Sequence, residues 1–159
     1  DRMDQERSEA YLGACMIAKR TTEFLPTPPN GLQRRHIYIL KTCYHLKETN
    51  GTVKISDIAK AIKGTLPSVT KNVATLEELG YMKKQTNKKD LRIINVDLTD
   101  KGLALYRKDV SGFHEQNAEI LQEISIEDMD TTIRTIKRIY ELMNDSMSYQ
   151  KGEMECIEH

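Results

Sequence analysis

The apolar residues of this chain follow helical spacing over most of its length and change to strand alternation only in residues 81–98. Ile94, Val96 and Leu98 occupy every second position there, which predicts a strand with one buried face. The polar run of residues 87–90 joins this strand to a preceding one. The sequence therefore predicts a mainly α fold with one small β-hairpin (α+β), and the hairpin has a cationic tip.

Proline and glycine divide the rest of the chain into helices. Three prolines among residues 25–31 end a first helix predicted over residues 3–24, because proline fixes φ and lacks the backbone donor. A second helix is predicted over residues 32–47, before the turn that Asn50-Gly51 favours. Its apolar residues lie near helical spacing: Leu32, Ile37, Leu40, Cys43 and Leu46.

Two short elements and a longer helix come next. Residues 52–55 predict a brief strand, and residues 56–62 predict a helix capped by its first serine. Thr65 is a natural N-cap and Gly80 a natural stop, so a helix is predicted over residues 65–79. This order of helix, strand, helix, turn, helix and hairpin is that of a winged helix-turn-helix domain, which places one helix in a DNA groove.

Two helices with very regular apolar spacing are predicted after residue 100. Their steps alternate between three and four residues, the seam of helices packed at shallow angles. Ser125 with Asp128 predicts a capping box that starts the second of them. The seam residues are Leu103, Tyr106, Val110, Phe113, Asn117, Ile120 and Ile124, then Ile126, Met129, Ile133, Ile136, Tyr140, Met143 and Met147.

Such stripes face water unless a second chain covers them, so we predict a homodimer formed by the two ends of the chain. Asn117 either fixes the register of that interface or lies at its solvated edge. The predicted organisation is an N-terminal dimerisation helix with its linker, a winged helix-turn-helix domain, C-terminal dimerisation helices and a tail. These occupy residues 1–31, 32–100, 101–148 and 149–159, respectively.

Charge is segregated along a chain that is neutral overall, with 24 cationic and 24 anionic residues. Between Lys54 and Arg92 nine cations stand against four anions, a net charge of +5, which leaves −5 for the remainder. A run of charge on its own often marks nothing more than a solvated face. Here the positive segment coincides with the predicted DNA-reading elements, which favours a polyanionic partner.

The helix predicted over residues 65–79 has one apolar and one small polar side. Val69, Val73 and Leu76 cluster on the side that would face the core. The opposite side is either an ordinary solvated surface or a DNA-reading face, since small residues let a helix enter a major groove roughly 12 Å wide. The candidate DNA-binding residues of this helix are Thr65, Pro67, Ser68, Thr70, Lys71 and Thr75.

Five segments in this order resemble the MarR family of bacterial transcriptional regulators. They are residues 55–62 (ISDIAKAI), 67–71 (PSVTK), 76–81 (LEELGY), 90–92 (DLR) and 98–102 (LTDKG). The resemblance implies a homodimer on a pseudo-palindromic operator, and we expect it to act as a repressor. Its recognition helices would enter successive major grooves, and its wings the adjacent minor grooves. A cytoplasmic location is the default expectation for a sequence without a recognisable membrane segment or signal peptide.

The resemblance also assigns roles in the wing. In the family's Asp-x-Arg motif the aspartate orients an arginine that enters the minor groove, and Asp90 and Arg92 match these positions. A narrow groove attracts a guanidinium, and a carboxylate two residues away can hold it. Many members have arginine at the middle position, where this chain has Leu91, so Lys88 and Lys89 are expected to replace that contact.

Regulation is less constrained by the sequence. The resemblance implies a small-molecule effector that releases the DNA, and a pocket for it could be lined by Tyr11, His36, Tyr38, Tyr44 and Tyr106. Each of these residues could equally be packing or interface. The cysteines Cys15, Cys43 and Cys156 are expected to be reduced thiols, with Cys15 and Cys43 packed in the core rather than redox-active.

The remaining expectations are absences. The longest apolar run has eight residues, far fewer than the roughly 20 that a spanning helix needs, and the opening residues lack the basic start of a signal peptide. We expect no metal, no cofactor and no enzymatic activity, because no nucleophile elbow, phosphate loop or ligand cluster is present in the sequence. The alternative function is a winged helix that binds a protein partner and not DNA.

Overall fold

The structure is a computed structural model that describes the backbone of residues 1–157 and the side chains of residues 1–147. It divides into two compact units, residues 1–115 and the residues from Gln116 onward. The helices are α1 (Gln5–Thr21), α2 (Arg34–Asn50), α3 (Ile55–Ile62), α4 (Leu66–Glu78), α5 (Asp100–Tyr106), α6 (Phe113–Ile120) and α7 (Ile126–Ile157), and the strands are β1 (Met82–Thr86) and β2 (Ile94–Leu98).

The core of the first unit lies where α2, α3, α4 and the hairpin meet. Leu40 and Cys43 of the predicted stripe are fully buried there, together with Ile39, which the stripe did not include. Ile37 and Leu46 of the stripe are only partly buried. The Cys43 thiol donates to the carbonyl oxygen of Val96 in β2, with an S–O distance of 3.9 Å. Burial raises the pKa of this thiol to about 12, so the expectation of a packed Cys43 is confirmed.

The predicted start and stop signals of α4 are confirmed. The Thr65 hydroxyl accepts a hydrogen bond from the Ser68 N–H at 3.4 Å, and proline stands in the first turn. Gly80 follows the helix with φ of +84°, a left-handed conformation that favours glycine. The Tyr81 N–H then donates to the Leu76 carbonyl at 2.8 Å, which leads the chain directly into β1.

The strands β1 and β2 pair antiparallel, with Met82 opposite Leu98 and Thr86 opposite Ile94. The prediction of a separate strand over residues 52–55 is wrong in extent, because only Lys54 bridges to β2, opposite Asn95. The serine cap of α3 is also wrong. The helix begins at Ile55, and the Asp57 carboxylate accepts from the Lys54 N–H at 2.9 Å, so a residue inside the first turn caps it.

The first of the two regular helices is not continuous. Residues Arg107–Gly112 form a π-helical segment between α5 and α6. Tyr106 and Val110 are buried in the core of the first unit, so this part of the predicted seam packs within the subunit. Gly112 fits the wide turn, because an added Cβ would lie 2.7 Å from the Arg107 carbonyl oxygen.

The second unit contains α7. The Ser125 hydroxyl accepts from the Asp128 N–H at 3.0 Å, which confirms the predicted start of this helix. Its backbone is helical as far as Ile157, beyond the predicted boundary at residue 148. The side chains of the predicted tail, including Cys156, lie outside the described residues. None of the helices in residues 1–157 has the length and hydropathy needed to cross a membrane.

The helix α1 corrects the expectation that Cys15 lies in a packed core. Every residue of α1 keeps part of its surface exposed in the described chain, and Cys15 itself is half-buried. Leu12, Met16 and Ile17 are 48%, 66% and 67% exposed. The apolar residues were identified correctly, but no residue with a described side chain buries them.

Candidate nucleic-acid interface

The predicted reading face of α4 is exposed. Ser68, Thr70 and Lys71 lie at the surface with Thr65 and Pro67, while Thr75 is half-buried. The Thr70 hydroxyl donates to the Leu66 carbonyl at 2.8 Å, and that of Thr75 to the Lys71 carbonyl at 3.3 Å. Both hydroxyl protons are thus used inside the helix, so the two threonines present acceptor lone pairs and methyl groups.

The tip of the hairpin forms an ordered wing. The Asn87 side-chain oxygen accepts from the N–H groups of Lys89 and Asp90, at 2.8 and 3.2 Å. Lys88 and Lys89 are exposed. At the base of the wing the Lys84 ammonium lies 3.9 Å from the Glu77 carboxylate of α4, so β1 and the reading helix are neighbours.

Asp90 holds Arg92 through three hydrogen bonds. Its Oδ1 accepts from the Arg92 Nε at 3.1 Å and from the Arg92 backbone N–H at 3.0 Å, and its Oδ2 accepts from a terminal guanidinium nitrogen at 3.1 Å. These bonds hold the pKa of Asp90 below its ordinary value. The Arg92 side chain is nevertheless 91% exposed. Asp90 therefore orients the guanidinium while leaving it accessible to a binding partner.

Leu91 lies between these two residues and is 77% exposed. An apolar side chain at this position makes no charged contact of its own. The cationic character of the wing therefore rests on Lys88, Lys89 and Arg92, together with the exposed Lys83 and Lys84 of β1.

Two residues that hold α4 against α2 were not among the predicted site residues. Asn72 is 9% exposed on the inner side of α4, and its Oδ1 accepts a hydrogen bond from the Arg35 Nε of α2 at 3.1 Å. Asn72 is three positions after Val69 and four before Leu76, so its place on the buried stripe could have been recognised. Its partner could not, because 37 positions separate the two residues.

The five residues proposed for an effector pocket are not all brought together. Tyr44 and Tyr106 stack with ring centroids 3.9 Å apart, and burial raises the pKa of Tyr106. His36 is buried at the start of α2. Tyr11 lies on α1, where the neighbouring Cys15 thiol raises its pKa, and Tyr38 lies at a separate cavity.

That cavity has a volume of about 150 Å³ and lies between the proline-rich linker, α2 and the π-helical segment. Leu25, Pro26, Pro28, Ile37 and Val110 supply most of its apolar wall. Its polar lining residues are Arg34, Tyr38, Lys41, Asp109 and His114. Among the residues with described side chains, no group of three or more histidine, cysteine or acidic side chains is close enough to hold a metal ion.

Comparison with known proteins identifies the fold. Residues 34–89 match the family described as iron dependent repressor, N-terminal DNA binding domain. The structure is similar to Streptococcus pneumoniae FabT in complex with DNA, with a TM-score of 0.66 and 19% identity over 89% of this chain and 99% of that one. It is also similar to an S. aureus MepR–DNA complex, with a TM-score of 0.57 and 19% identity over the same shares.

A third similar structure is the PcaV transcriptional regulator from Streptomyces coelicolor in complex with its natural ligand. Its TM-score is 0.61 at 13% identity, over 89% of this chain and 97% of that one. These similarities establish the predicted winged helix-turn-helix fold. Within that fold, residues 34–89 are similar to a DNA-binding domain, so the class that the fold and the match define is that of winged-helix proteins.

Proposed function

We propose that the chain is a transcriptional regulator of the MarR type that binds a pseudo-palindromic operator as a homodimer. The observation that carries the proposal is the oriented and exposed Arg92 at the tip of a wing adjacent to α4. A guanidinium held in this way suits the negative potential of a narrow minor groove. The structures of FabT and MepR with DNA support this assignment by their similarity.

The side chains of α4 and of the wing suit different parts of the DNA. Ser68, Thr70 and Lys71 of α4 contact base edges in the major groove, with Thr65, Pro67 and Thr75 at the margin of the contact. Lys88 and Lys89 neutralise phosphates beside the minor groove that Arg92 enters. Base contacts supply the sequence preference, and phosphate contacts supply most of the salt-dependent affinity.

Exposed apolar residues at both ends of the chain support the homodimer. Ile133, Ile136, Tyr140, Met143 and Met147 of α7 are 43–69% exposed at three- and four-residue spacing. The apolar residues of α1 are similarly uncovered. A monomer rarely leaves stripes of this kind in water, whereas a twofold interface buries the same stripe on both copies.

The decisive experiment is the selection of bound sequences from a pool of random DNA duplexes. We expect a twofold-symmetric motif with half-sites about 10 base pairs apart, centre to centre. The Arg92→Ala variant should bind the selected duplex more weakly and with a flatter dependence on salt. Lys108→Ala, which removes one exposed cation outside the wing and α4, is the matched control.

The alternative is a winged helix that serves as a protein-interaction module without direct DNA binding. It predicts no enrichment in the selection and no affinity for duplex DNA even at low salt. The proposal is of a binding protein and not an enzyme, and turnover of a substrate by the purified chain would count against it.

We further propose that a small molecule with an apolar ring and a carboxylate group releases the DNA by binding the cavity between the linker and α2. Cavities of about this size can hold a benzene ring, and the cations Arg34 and Lys41 suit a carboxylate. Benzoate is the probe, and its effect on the affinity for the selected duplex is the readout. Val110→Phe fills the cavity and should abolish the effect, whereas unchanged sensitivity would exclude this site.

A further inference from the structure

The inner face of α4 combines apolar packing with one directional contact. Val69, Val73 and Leu76 are at most 1% exposed and anchor the helix in the core. Apolar burial is not directional, so these contacts select one rotation of the helix about its own axis less sharply than a hydrogen bond does. A hydrogen bond weakens steeply as its angle departs from linearity. Asn72, a buried polar residue of this face, is therefore more sensitive to a small rotation than its apolar neighbours are.

Arg35 supplies the matching donor from α2. Its Nε donates to the Asn72 Oδ1 at 3.1 Å, and a terminal nitrogen of the same guanidinium donates to the Gln33 side-chain oxygen. Charged donors give the stronger class of hydrogen bond. One planar group thus joins the residue before α2 to the middle of α4.

His36 fixes the start of α2 beside this contact. Its Nδ1 accepts from the Gln33 backbone N–H at 2.9 Å, which caps the helix. Burial, followed by the charge of Arg35, lowers the pKa of His36. The ring is therefore neutral at pH 7 and keeps the lone pair that the cap requires.

The amplitude of a possible rotation matters for DNA reading. Side-chain tips lie about 5–6 Å from a helix axis, so a rotation of about 20° moves them by roughly 2 Å. A displacement of that size breaks a hydrogen bond to a base edge. The long, flexible lysines of the wing can keep their contacts with phosphates after a displacement of that size.

We propose that Asn72 and Arg35 are positioning residues that fix the rotation of α4 and so decide which of its side chains meet the bases. This inference rests on the proposed DNA-binding function. It extends that function by assigning specificity to two residues that do not touch DNA. Their loss should reduce the discrimination between operator and random DNA while leaving the electrostatic affinity intact.

The experiment measures the affinity of the full chain for the selected duplex and for a scrambled duplex at one salt concentration. We expect Arg35→Ala and Asn72→Ala to lower the ratio of the two affinities by about tenfold, with scrambled-duplex affinity within twofold of the unsubstituted chain. Arg35→Lys keeps the charge but loses the planar Nε donor, so it should resemble Arg35→Ala. Asn72→Asp keeps the acceptor and should restore discrimination.

Arg35 is exposed, so its variants remain informative if truncation of the buried Asn72 unfolds the domain. Discrimination within twofold of the unsubstituted chain in both Arg35 variants would overturn the inference, provided that the unsubstituted chain discriminates. An unsubstituted chain that fails to discriminate refutes the proposed function instead, and the inference with it. A loss that affects both duplexes equally would show that the residues serve stability alone, which also overturns the inference.

Discussion

The ammonium group of Lys101 lies 2.8 Å from the carbonyl oxygen of Leu79 and 4.4 Å from the centre of the Tyr81 ring. The first turn of α5 thereby holds the residues at which α4 ends. Thr99 adds a second bond, from its hydroxyl to the Gly80 carbonyl at 2.5 Å. The reading helix is fixed at its C-terminal end by α5 and in its middle by α2.

Lys101→Met should destabilise the winged helix by about 1 kcal/mol, because it removes a charged donor from a helix C-terminus but keeps the aliphatic stem. The measurement is the midpoint of urea unfolding. Lys108→Met, at another exposed lysine, is the control and should change the midpoint little. Equal midpoints for the Lys101 variant and the unsubstituted chain would contradict the role given to this bond.

Gly102→Ala should be far more damaging. A Cβ at Gly102 would lie 2.0 Å from the Tyr81 carbonyl oxygen, so the backbone must move apart, and we expect a loss of about 3 kcal/mol. Gly13→Ala is the matched control. Apart from the adjoining residues and backbone of α1, no atom of residues 1–147 lies within 4 Å of its Cβ position, and alanine there should stabilise the helix by about 0.5–1 kcal/mol. Thermal unfolding separates the two outcomes.

Leu91→Arg tests the wing by gain of contact. An added arginine at this exposed position should bind one more phosphate, so the slope of log K against log salt should steepen by about 0.9. The affinity for duplex DNA should rise at low salt. Leu91→Gln is the uncharged control, and an unchanged slope in the arginine variant would place the wing tip away from the DNA.

Arg92→Lys separates charge from geometry. Lysine keeps the positive charge but cannot make the paired contact with Asp90 through Nε and a terminal nitrogen. We expect the salt slope to stay nearly constant while affinity for the selected duplex falls by about tenfold. Full affinity in the lysine variant would show that the orientation by Asp90 is unimportant.

His36 gives the stability of the domain a pH dependence. Its pKa is lowered in the folded state, so the unfolded chain binds the proton more readily. The contribution of the neutral ring is complete above the unfolded pKa of about 6.5 and is lost as pH falls from there towards the folded pKa. His36→Gln preserves a capping side chain and should remove this component, whereas His114→Gln should retain it. Urea unfolding at several pH values provides the readout.

Local sequence signals made most of α4 and of the β-hairpin predictable. Thr65 and Gly80 flank the helix that they delimit, and Pro67 lies in its first turn. The alternation of residues 94–98 needs no distant partner to indicate a strand. The Asp90–Arg92 pair, which the resemblance to a family motif led us to expect, is likewise separated by only two positions. Features whose cause lies within a few residues can be recognised in the sequence itself.

What could not be predicted depends on distant parts of the chain. The contact of Arg35 with Asn72 joins residues 37 positions apart, and no periodicity indicates it. The π-helical segment places Tyr106 and Val110 in the core, although the regular spacing predicted an uninterrupted seam. Cys15 belongs to an apolar stripe, but the stripe does not indicate whether its own subunit covers it.

Because Cys43 is buried, the reactivity of its thiol in the unmodified chain reports how often α2 and β2 separate. A thiol with a pKa of about 12, enclosed where α2 meets β2, reacts with an alkylating reagent only when the two elements separate. The rate of alkylation at this position therefore follows the equilibrium between closed and open forms. Any ligand that binds the closed form slows that rate by the factor by which it stabilises the domain.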